Sequence, residues 1–564
     1  MSQPAFKLPP QPFRERRGVP AAPPKRIGHI VSVNGPRAVA ILERAAEAAL
    51  LAEPPRVQIG ALLKITTPAS SVIGLVTAVT TPMPGAEDHG EEIGLVELNL
   101  AGEMVIAGAD RRLTFKRGVT SPPSIGDALL LVDRHDLTRV YAPPALATVK
   151  VGTLYQDAAV AARLRVDDLL SKHFVVVGST GSGKSCALTT ILQRILDDYR
   201  YAHIVVLDIH NEYLTAFGDR VEAINLNNFS LPFWLLNFQE LTAALTTLDE
   251  HRDAETEILG EAVVYAKRRY SDHAATRGAL VRKPVEATHM TVETPTPFRL
   301  SDVIAYIDEQ LGRLERTQIT LPYRKLKMRI ETMVADQRYN FMFGSLTVQD
   351  TMTEILSRLF RVPSDGKPIT VIDLSVVPAE ILDVVISVIS RLAFDLAIWS
   401  KGGLPTLIVC EEAHRYAPAV DKGYFGPTRQ ALSRIAKEGR KYGISLALVT
   451  QRPSDLDPTI LSQCSTVVAL RLSSERDQQV MRSSTHEGVL DLLDFLPLLG
   501  DREAIVLGQG VSMPMRITFD DLDRTAVPRN LNAGFSKAWK SPNMNRQELE
   551  AIVFRWRQSG REKG

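Results

Sequence analysis

The sequence predicts an α/β fold: a parallel sheet with helices on both faces, preceded by a small β-barrel and interrupted by a helical insertion. Three observations predict this fold. Short apolar runs of strand length, separated by Gly, Pro and charged turns, occupy the chain before residue 149. Strand-like runs alternate with helical patterns in residues 149–237 and again in residues 346–520, as in a parallel sheet. Residues 238–345, between these two parts, carry helical periodicity instead.

The N-terminal part is expected to form the barrel. Residues 1–25 are rich in proline, which predicts a disordered start. The barrel is placed in residues 26–148, where turns separate short β-like runs: Ile27–Val33, Ala38–Leu42, Val57–Thr66, Val72–Thr80, Ile93–Leu98 and Ala128–Val132. Because no long helix separates these runs, they favour a small closed sheet. Val149–His173 is interpreted as the connection to the next sheet.

The larger sheet is predicted in two parts, on either side of the insertion. Its predicted strands are Phe174–Val177, Ile204–Leu207, Ile369–Leu374, Thr406–Cys410, Ile444–Thr450 and Thr466–Leu472. Its predicted helices after the insertion are Ala379–Trp399 and Gly426–Lys441. The insertion itself is expected to contain helices at Leu241–Tyr270, Leu300–Leu314 and Leu321–Tyr339. Residues 521–564 are predicted as a C-terminal tail with a short helix.

Composition is typical of a globular protein of more than one domain, with 564 residues of which 45% are apolar and 23% charged. A formal charge of +1 gives no global basic field, so any nucleic-acid contact must come from a local patch or a ring of subunits. The three cysteines do not have the spacing of a metal site, so we expect reduced thiols at Cys186, Cys410 and Cys464. No apolar run is long enough to cross a membrane, and we therefore expect a cytoplasmic protein.

A glycine-rich stretch after Phe174–Val177 predicts a phosphate-binding loop. It follows a strand and opens a helix, so backbone N–H groups and the positive end of the helix face a phosphate. The expected nucleotide contacts are Gly178, Ser179, Thr180, Gly181, Ser182, Gly183, Lys184, Ser185 and Cys186. Lys184 is assigned to the β- and γ-phosphates and Ser185 to Mg²⁺. A chance match to the pattern is rare even before the strand and helix are required.

Two acids leave the carboxyl end of the predicted strand Thr406–Cys410, where open α/β sheets place their ligands. Glu411 is assigned to the Mg²⁺ shell and Glu412 to activation of the attacking water. A solvated acidic turn is the alternative interpretation. Gln451, at the end of Ile444–Thr450, is interpreted as a γ-phosphate sensor, with a plain turn as its alternative.

Another polar cluster, Asp208–Tyr213, follows the strand Ile204–Leu207 at the same edge of the sheet. Its acids can reach the water shell of the metal, and Asp208 is therefore placed in the metal set with Ser185 and Glu411. A metal site made by His210 and His414 is a second interpretation, but no Cys/His spacing supports it.

Together these motifs, with Glu438–Gly443 and Thr450–Pro453, resemble the HerA family of hexameric, ATP-driven DNA translocases related to the FtsK pumps. The resemblance spans nearly residues 26–520 and includes the order of the parts. It implies a RecA-like P-loop ATPase core, an N-terminal β-barrel and a helical-bundle insertion. It also implies a homohexameric ring that threads double-stranded DNA, hydrolyses ATP with Mg²⁺ at subunit interfaces, and works with a partner nuclease or other effector.

Matching the family motif residue by residue implies roles for several positions. Lys184 and Ser185 would contact the phosphates and Mg²⁺, Glu412 would be the catalytic acid, and Gln451 the sensor. Arg440 is the best candidate for an arginine finger from the neighbouring subunit, because a guanidinium offers a planar, permanently charged fork to the γ-phosphate. Its alternative is a solvated cation at a helix end. Arg434 and Arg471 are rivals for the finger.

This chain departs from the usual family pattern at three positions. Glu411 stands where the family has Asp, and Ile209 and Asn211 stand where it has Pro and Gly. A Glu preserves the charge and the oxygen ligands of an Asp, so we expect metal binding to survive. The other two changes alter backbone freedom rather than charge.

Three functional interpretations follow. The first is a motor that moves double-stranded DNA toward a partner enzyme, such as a NurA-like nuclease, in DNA end processing or anti-phage defence. The second is a ring scaffold whose ATP binding assembles and gates a sirtuin-like or nuclease defence effector, with little DNA-driven turnover. The third is a conjugation-type coupling ATPase, which usually carries a membrane anchor that we do not find in the sequence.

Overall fold

The computed structural model describes residues 26–43, 57–80, 94–107, 112–141, 146–246, 249–276, 290–313, 320–344, 348–420, 426–484, 490–528, 540 and 545–558. The chain divides into two compact units, Met1–Arg139 and Val140–Gly564. The predicted disordered start, residues 1–25, lies outside the described residues.

The first unit contains a closed β-barrel. Its strands are β1 (Arg26–Asn34), β2 (Arg37–Leu42), β3 (Leu62–Thr66), β4 (Ser71–Thr80), β5 (Leu95–Ala107), β6 (Arg112–Arg117) and β7 (Ala128–Leu131). Strands pair in the order β2-β1-β7-β3-β4-β5, and an additional β2–β5 pairing closes the ring. The enclosed core contains Ile27, Ile30, Val76 and Leu98, all fully buried. The predicted small barrel is therefore confirmed, and closure leaves no open edge in this ring.

The second unit is built on a sheet whose strands pair in the order β12-β13-β11-β14-β15-β10-β16-β17-β18-β8-β9. Their bounds are β8 (Thr148–Leu154), β9 (Ala161–Arg165), β10 (Phe174–Val177), β11 (His203–Asp208), β12 (Val221–Ile224), β13 (Ile369–Asp373), β14 (Thr406–Cys410), β15 (Ile444–Thr450), β16 (Thr466–Ala469), β17 (Glu503–Gly508) and β18 (Met515–Phe519). The strands from β12 to β16 are parallel, whereas β16 through β9 pair antiparallel.

The described helices are α1 (Arg134–Tyr141), α2 (Val166–Leu170), α3 (Lys184–Asp198), α4 (Phe238–Leu245), α5 (Arg252–Thr276), α6 (Leu300–Arg313), α7 (Thr320–Ala335), α8 (Asn340–Phe343), α9 (Met352–Phe360), α10 (Ala379–Trp399), α11 (Gly426–Glu438), α12 (Pro458–Leu461), α13 (Glu475–Ser484) and α14 (Arg546–Gln558). Helices α4 to α8 occupy the stretch predicted as the helical insertion. Across the described ranges, no helix combines the length and the apolar character needed to cross a membrane.

Strands β12, β17 and β18 were not predicted from the sequence, and two further regions were misjudged. Val149–His173 is not a plain connection, because it contains β8, β9 and α2 and extends the sheet by an antiparallel edge. Strand β6 was missed in the barrel. Both regions alternate cations with apolar residues, as Lys150 and Lys116 show, and such strands lack the continuous apolar run that marks β10, β14 and β15.

A buried ion pair joins the insertion to the sheet unit. Glu240, in α4, is fully buried and forms a reciprocal capping box with Asn237 at the start of that helix. Its carboxylate also accepts hydrogen bonds from Arg391 Nη2 at 2.9 Å and from Ser387 Oγ at 2.8 Å, both in α10. Arg391 Nη2 additionally donates to the carbonyl of Leu235. The pair thus fixes the first insertion helix against the long helix α10.

Candidate nucleotide site

The loop between β10 and α3 has the backbone shape of a phosphate cradle. Gly181 and Gly183 adopt φ values of +76° and +95°, in the left-handed region that favours glycine. Gly178 is also constrained, because a Cβ there would lie 2.4 Å from Ser182 Oγ. Ser182 N–H donates back to the carbonyl of Ser179 and tightens the turn. The loop therefore directs backbone N–H groups and the N-terminus of α3 toward one point, as anion binding requires.

Lys184, the first residue of α3, is a cation withdrawn from solvent. Its side chain donates to the carbonyl of Ser179 at 3.3 Å, and the residue is only 8% exposed. Burial lowers the pKa of Lys184, while the nearby carboxylates of Glu412, Glu212 and Glu411 oppose that shift. A desolvated ammonium beside acids and a glycine-rich loop is well placed to bind a phosphate and its metal.

Glu411 and Asp208 form a buried acidic pair behind the loop. Glu411 Oε2 accepts hydrogen bonds from the N–H groups of Ile209 at 3.1 Å and His210 at 3.4 Å. Burial, and then the adjacent Asp208 carboxylate, raise the pKa of Glu411 well above its usual range. The buried phenol of Tyr416 donates to the Glu411 carbonyl at 2.9 Å and holds the backbone in place.

Two departures from the family pattern have a structural counterpart here. Ile209 donates its N–H to Glu411, which a proline at that position could not do. Asn211 adopts a φ of +55°, a left-handed conformation that glycine accepts freely and that asparagine tolerates better than most residues. The turn is closed by Asp208, whose carboxylate accepts N–H groups from Glu212 at 3.1 Å and Tyr213 at 2.9 Å.

Glu212 is the site residue that sequence reasoning left out of the metal set. Ser185 Oγ donates to Glu212 Oε2 at 2.7 Å, so this carboxylate directly contacts the hydroxyl assigned to Mg²⁺. The available signal was that Glu212 follows β11 within the cluster that begins with Asp208. Beside them lies the hydroxyl of Tyr213, which is buried and lacks a well-aligned hydrogen-bond partner.

Glu412 has an unusual backbone and an unsatisfied carboxylate. Its φ of +48° lies in the left-handed region, which is strained for a glutamate. The residue is 7% exposed, and its Oε2 atom is buried without a well-aligned hydrogen-bond partner. His414 Nδ1 lies 3.2 Å from this Oε2 atom. Strained, under-satisfied acids of this kind are typical of catalytic positions.

Gln451 reaches the phosphate loop from the end of β15. Thr180 Oγ1 donates a hydrogen bond to Gln451 Oε1. Strands β10 and β15 are parallel neighbours with Val177 opposite Thr450, so the residues that follow both strands emerge side by side. The loop, both glutamates, Asp208 and Gln451 therefore meet at the carboxyl edge of the sheet.

The three candidate finger arginines lie in different places. Arg440 is exposed in a short 3-10 helix that precedes β15, at the amino edge of the sheet. Arg434 packs over the ring of Phe394, with 4.4 Å between the guanidinium carbon and the ring centroid. Arg471 lies beside the phosphate loop of its own chain, because its carbonyl accepts the N–H of Ser179 at 2.8 Å. A finger that reaches a neighbouring subunit must point away from its own loop, and Arg440 meets that condition.

The three cysteines are free thiols. Cys186 follows Ser185 in α3 and is partly buried, and burial raises its pKa. Among the described residues, no group of three or more His, Cys, Asp or Glu side chains has the arrangement of a metal cage. The donors around Ser185 are instead oxygens from a hydroxyl and from carboxylates, which suits a Mg²⁺ ion that shares its shell with phosphates and water.

The residues present fit a nucleotide with its metal. Two buried polar atoms of the described site lack a well-aligned hydrogen-bond partner: Ser182 Oγ in the phosphate loop and Glu412 Oε2 after β14. Lys184 supplies positive charge, and Ser185 with Glu212 supplies hard oxygen donors. A strand, a glycine-rich loop and a helix, together with acids at the ends of other parallel strands of the same sheet, define a P-loop ATPase.

Comparison with known proteins makes the assignment more specific. Residues 149–393 match the family described as the central domain of the helicase HerA. A DNA double-strand break repair helicase HerA of Pyrococcus furiosus is 26% identical over 76% of this chain and 78% of that protein. The protein of the same name from Sulfurisphaera tokodaii is 26% identical, over 86% of this chain and 92% of that protein. This chain is a homologue of the HerA helicases over most of its length.

Solved structures were also compared. VirB4 of Thermoanaerobacter pseudethanolicus superposes with a TM-score of 0.47 at 14% identity, covering 67% of this chain and 97% of that one. The bacterial conjugative coupling protein TrwB gives a TM-score of 0.44 at 13% identity, covering 70% of this chain and 94% of that one.

Proposed function

We propose that this chain hydrolyses ATP with Mg²⁺ as a homohexameric ring that moves double-stranded DNA. The observation that carries the proposal is the separation of two sets of catalytic groups in one chain. Lys184, Glu412 and Gln451 lie at the carboxyl edge of the sheet, whereas Arg440 lies before the amino end of β15. A seven-residue strand spans roughly 20 Å, so Arg440 is too far from its own phosphate loop to act there. We therefore assign Arg440 to the site of a neighbouring copy.

The side chains of the site have separate roles in this proposal. Lys184 binds the β- and γ-phosphates, and Ser185 with Glu212, Glu411 and Asp208 would hold or surround the metal. Bound Mg²⁺ would neutralise phosphate charge that develops during transfer. The metal set therefore keeps the three residues expected from the sequence and adds Glu212, whose carboxylate already contacts Ser185.

Hydrolysis itself is assigned to Glu412, Gln451 and Arg440. Glu412 accepts a proton from the attacking water, and Gln451 orients that water or the γ-phosphate. The Arg440 of an adjacent subunit stabilises the charge on the transferred phosphoryl group, an effect typically of about 10³ to 10⁵ in rate. None of the described contacts joins Arg440 to the phosphate loop of its own chain. Arg440 is therefore free of that loop, as a finger that acts on a neighbouring subunit must be.

Two packed loops offer a route from the sensor to a DNA-contacting segment. The loop after Glu412 hydrogen-bonds to the loop after Gln451, through Ala419 N–H to the Asp455 carbonyl at 2.8 Å and Asp457 N–H to the Ala417 carbonyl at 2.9 Å. The first of these loops belongs to the stretch Arg415–Phe425, which mixes cations with aromatics and is our candidate for a DNA-contacting pore loop, with a solvated interface loop as its alternative. Residues 421–425 lie outside the described residues. In this proposal, a shift of Gln451 would reach the described part of that stretch through these two hydrogen bonds.

The biological setting is proposed on the resemblance to HerA. We infer a cytoplasmic ring that acts in DNA end processing or anti-phage defence with a partner nuclease, NurA-like, or with a sirtuin-like effector. The N-terminal barrel is the proposed docking surface for that partner. The Pyrococcus relative is a DNA double-strand break repair helicase, which supports the DNA side of this proposal.

The direct test is steady-state ATP hydrolysis with and without long duplex DNA, together with the assembly state of each sample. The motor predicts turnover that rises with duplex DNA and is lost in Lys184→Ala and Glu412→Gln. Lys184→Ala should also lose nucleotide binding, whereas Glu412→Gln should retain it. A ring that forms, binds ATP and turns over slowly regardless of DNA would contradict the motor and favour the nucleotide-gated scaffold.

A further inference from the structure

His414 connects the proposed catalytic acid to the strand that ends at the sensor. Its Nδ1 atom lies 3.2 Å from Glu412 Oε2 and 3.0 Å from Thr450 Oγ1. The imidazole is only 12% exposed, and Thr450 is fully buried in β15. Thr450 immediately precedes Gln451 in the chain. We propose that His414 is a positioning residue that sets the Glu412 carboxylate for hydrolysis; this inference rests on the proposed ATPase function.

The hydrogen-bond partners indicate which nitrogen carries the proton. Thr450 Oγ1 accepts the N–H of Arg452 at 3.0 Å and is also in contact with His414 Nδ1. A bare Nδ1 lone pair would face the carboxylate oxygen of Glu412, which is repulsive. An Nδ1–H instead donates to Thr450 and lies within reach of Glu412. In this structure the N–H donates to Thr450, and a small rotation of either side chain would align it with Glu412.

The backbone explains why Glu412 needs such a support. Its left-handed conformation costs free energy in a glutamate and persists only where surrounding contacts enforce it. Within the described ranges the buried Oε2 atom has no well-aligned hydrogen-bond partner, and His414 Nδ1, at 3.2 Å, is in position to fix it. Since Thr450 orients the imidazole, the acid and the sensor strand share one chain of contacts. A displacement at Gln451 would then reach Glu412 through Thr450 and His414.

The test compares three substitutions of His414 that differ in where they place an N–H. The amide nitrogen of asparagine lies near the Nδ1 position, whereas that of glutamine lies near Nε2. We expect His414→Ala and His414→Gln to lower kcat about tenfold or more with KM changed less than about twofold, since the contact affects the chemical step. His414→Asn should keep kcat within about threefold of wild type. Thermal unfolding and ring assembly serve as controls for folding in every variant.

Thr450→Val tests the second contact, because it preserves the shape of the side chain and removes the hydroxyl. We expect it to lower kcat as His414→Ala does. The double variant that carries both substitutions should have a kcat no lower than that of the less active single variant, because both substitutions break the same chain of contacts. Unchanged kcat in His414→Ala, or equal losses of kcat in His414→Asn and His414→Gln, would overturn the role of His414. The proposed function would stand in that case, provided that the wild-type protein hydrolyses ATP. Absence of wild-type hydrolysis would overturn both.

Discussion

Thr180, in the phosphate loop, donates a hydrogen bond to Gln451 at the end of β15, although the two residues are 271 positions apart in the chain. The parallel pairing of β10 with β15 brings them together, with Val177 opposite Thr450. Gln451 therefore lies beside the phosphate loop, as the proposed role of a γ-phosphate sensor requires.

We expect Gln451→Ala to lower kcat on the order of 100-fold, because it removes a group aimed at the reacting phosphate, while ATP affinity changes little. The measurement is steady-state ATP hydrolysis beside equilibrium binding of a fluorescent ATP analogue. Thr180→Val is the matched control: it removes the other half of the same hydrogen bond but leaves the loop's backbone donors in place. Equal losses of kcat in the two variants would mean that the hydrogen bond between Thr180 and Gln451 matters, and would contradict a role of Gln451 in sensing the γ-phosphate.

The residues that the structure brings together at the candidate site were easier to predict from the sequence than the strands of the sheet. A glycine-rich loop imposes its own backbone conformation, and acids at the ends of apolar strands are visible as short patterns, so Lys184, Glu411 and Gln451 could be found without coordinates. The contact between Ser185 and Glu212 could not, because it depends on how the turn after β11 folds back. The antiparallel edge at β8 and β9 was missed for another reason: its strands are partly exposed and lack a continuous apolar run.

His173 predicts a pH dependence of stability. Its Nε2 contacts the carbonyl of Ala436 at 3.1 Å, and its Nδ1 accepts the N–H of Leu446 at 2.9 Å. Burial lowers the pKa of His173 to about 4. In the unfolded chain the imidazole takes up a proton below about pH 6.5, whereas in the folded chain it does so only below about pH 4. As the pH is lowered from about 6.5 to about 4, the free energy of unfolding therefore decreases by on the order of 3 kcal/mol.

Chemical denaturation across this range measures the effect. His173→Gln should flatten the dependence of the unfolding free energy on pH between about pH 6.5 and pH 4, since the titrating group is gone. His273→Gln, which changes an exposed histidine of α5, should leave the slope unchanged. A slope that persists in His173→Gln would assign the acid sensitivity to other groups.

The buried pair of Glu240 and Arg391 predicts a large loss of stability when it is broken. Glu240→Ala should lower the free energy of unfolding by about 3 kcal/mol, because it removes the buried carboxylate and leaves the Arg391 guanidinium with only the half-exposed Asp395 as an acidic partner. Calorimetry or denaturant titration provides the measurement. Glu309→Ala breaks the exposed pair with Arg313 and should cost about 1 kcal/mol or less. Similar losses in the two variants would show that the pair contributes no more than a surface contact.

The most direct test of the shared active site is complementation between two inactive variants. Lys184→Ala retains Arg440 but lacks a working phosphate loop, and Arg440→Ala has the opposite defect. In rings of random composition from the two variants, about one interface in four combines an intact loop with an intact finger. Co-expression with two different affinity tags allows the mixed rings to be isolated and their ATP turnover compared with each variant alone.

Our account predicts that each variant alone is near background and that the mixed rings recover measurable turnover. Rings that combine Lys184→Ala with Glu412→Gln are the control and should stay inactive, because both defects lie in the same half of the site. Wild-type turnover in Arg440→Ala alone, or mixed rings that remain at background, would contradict a site completed by the neighbouring subunit.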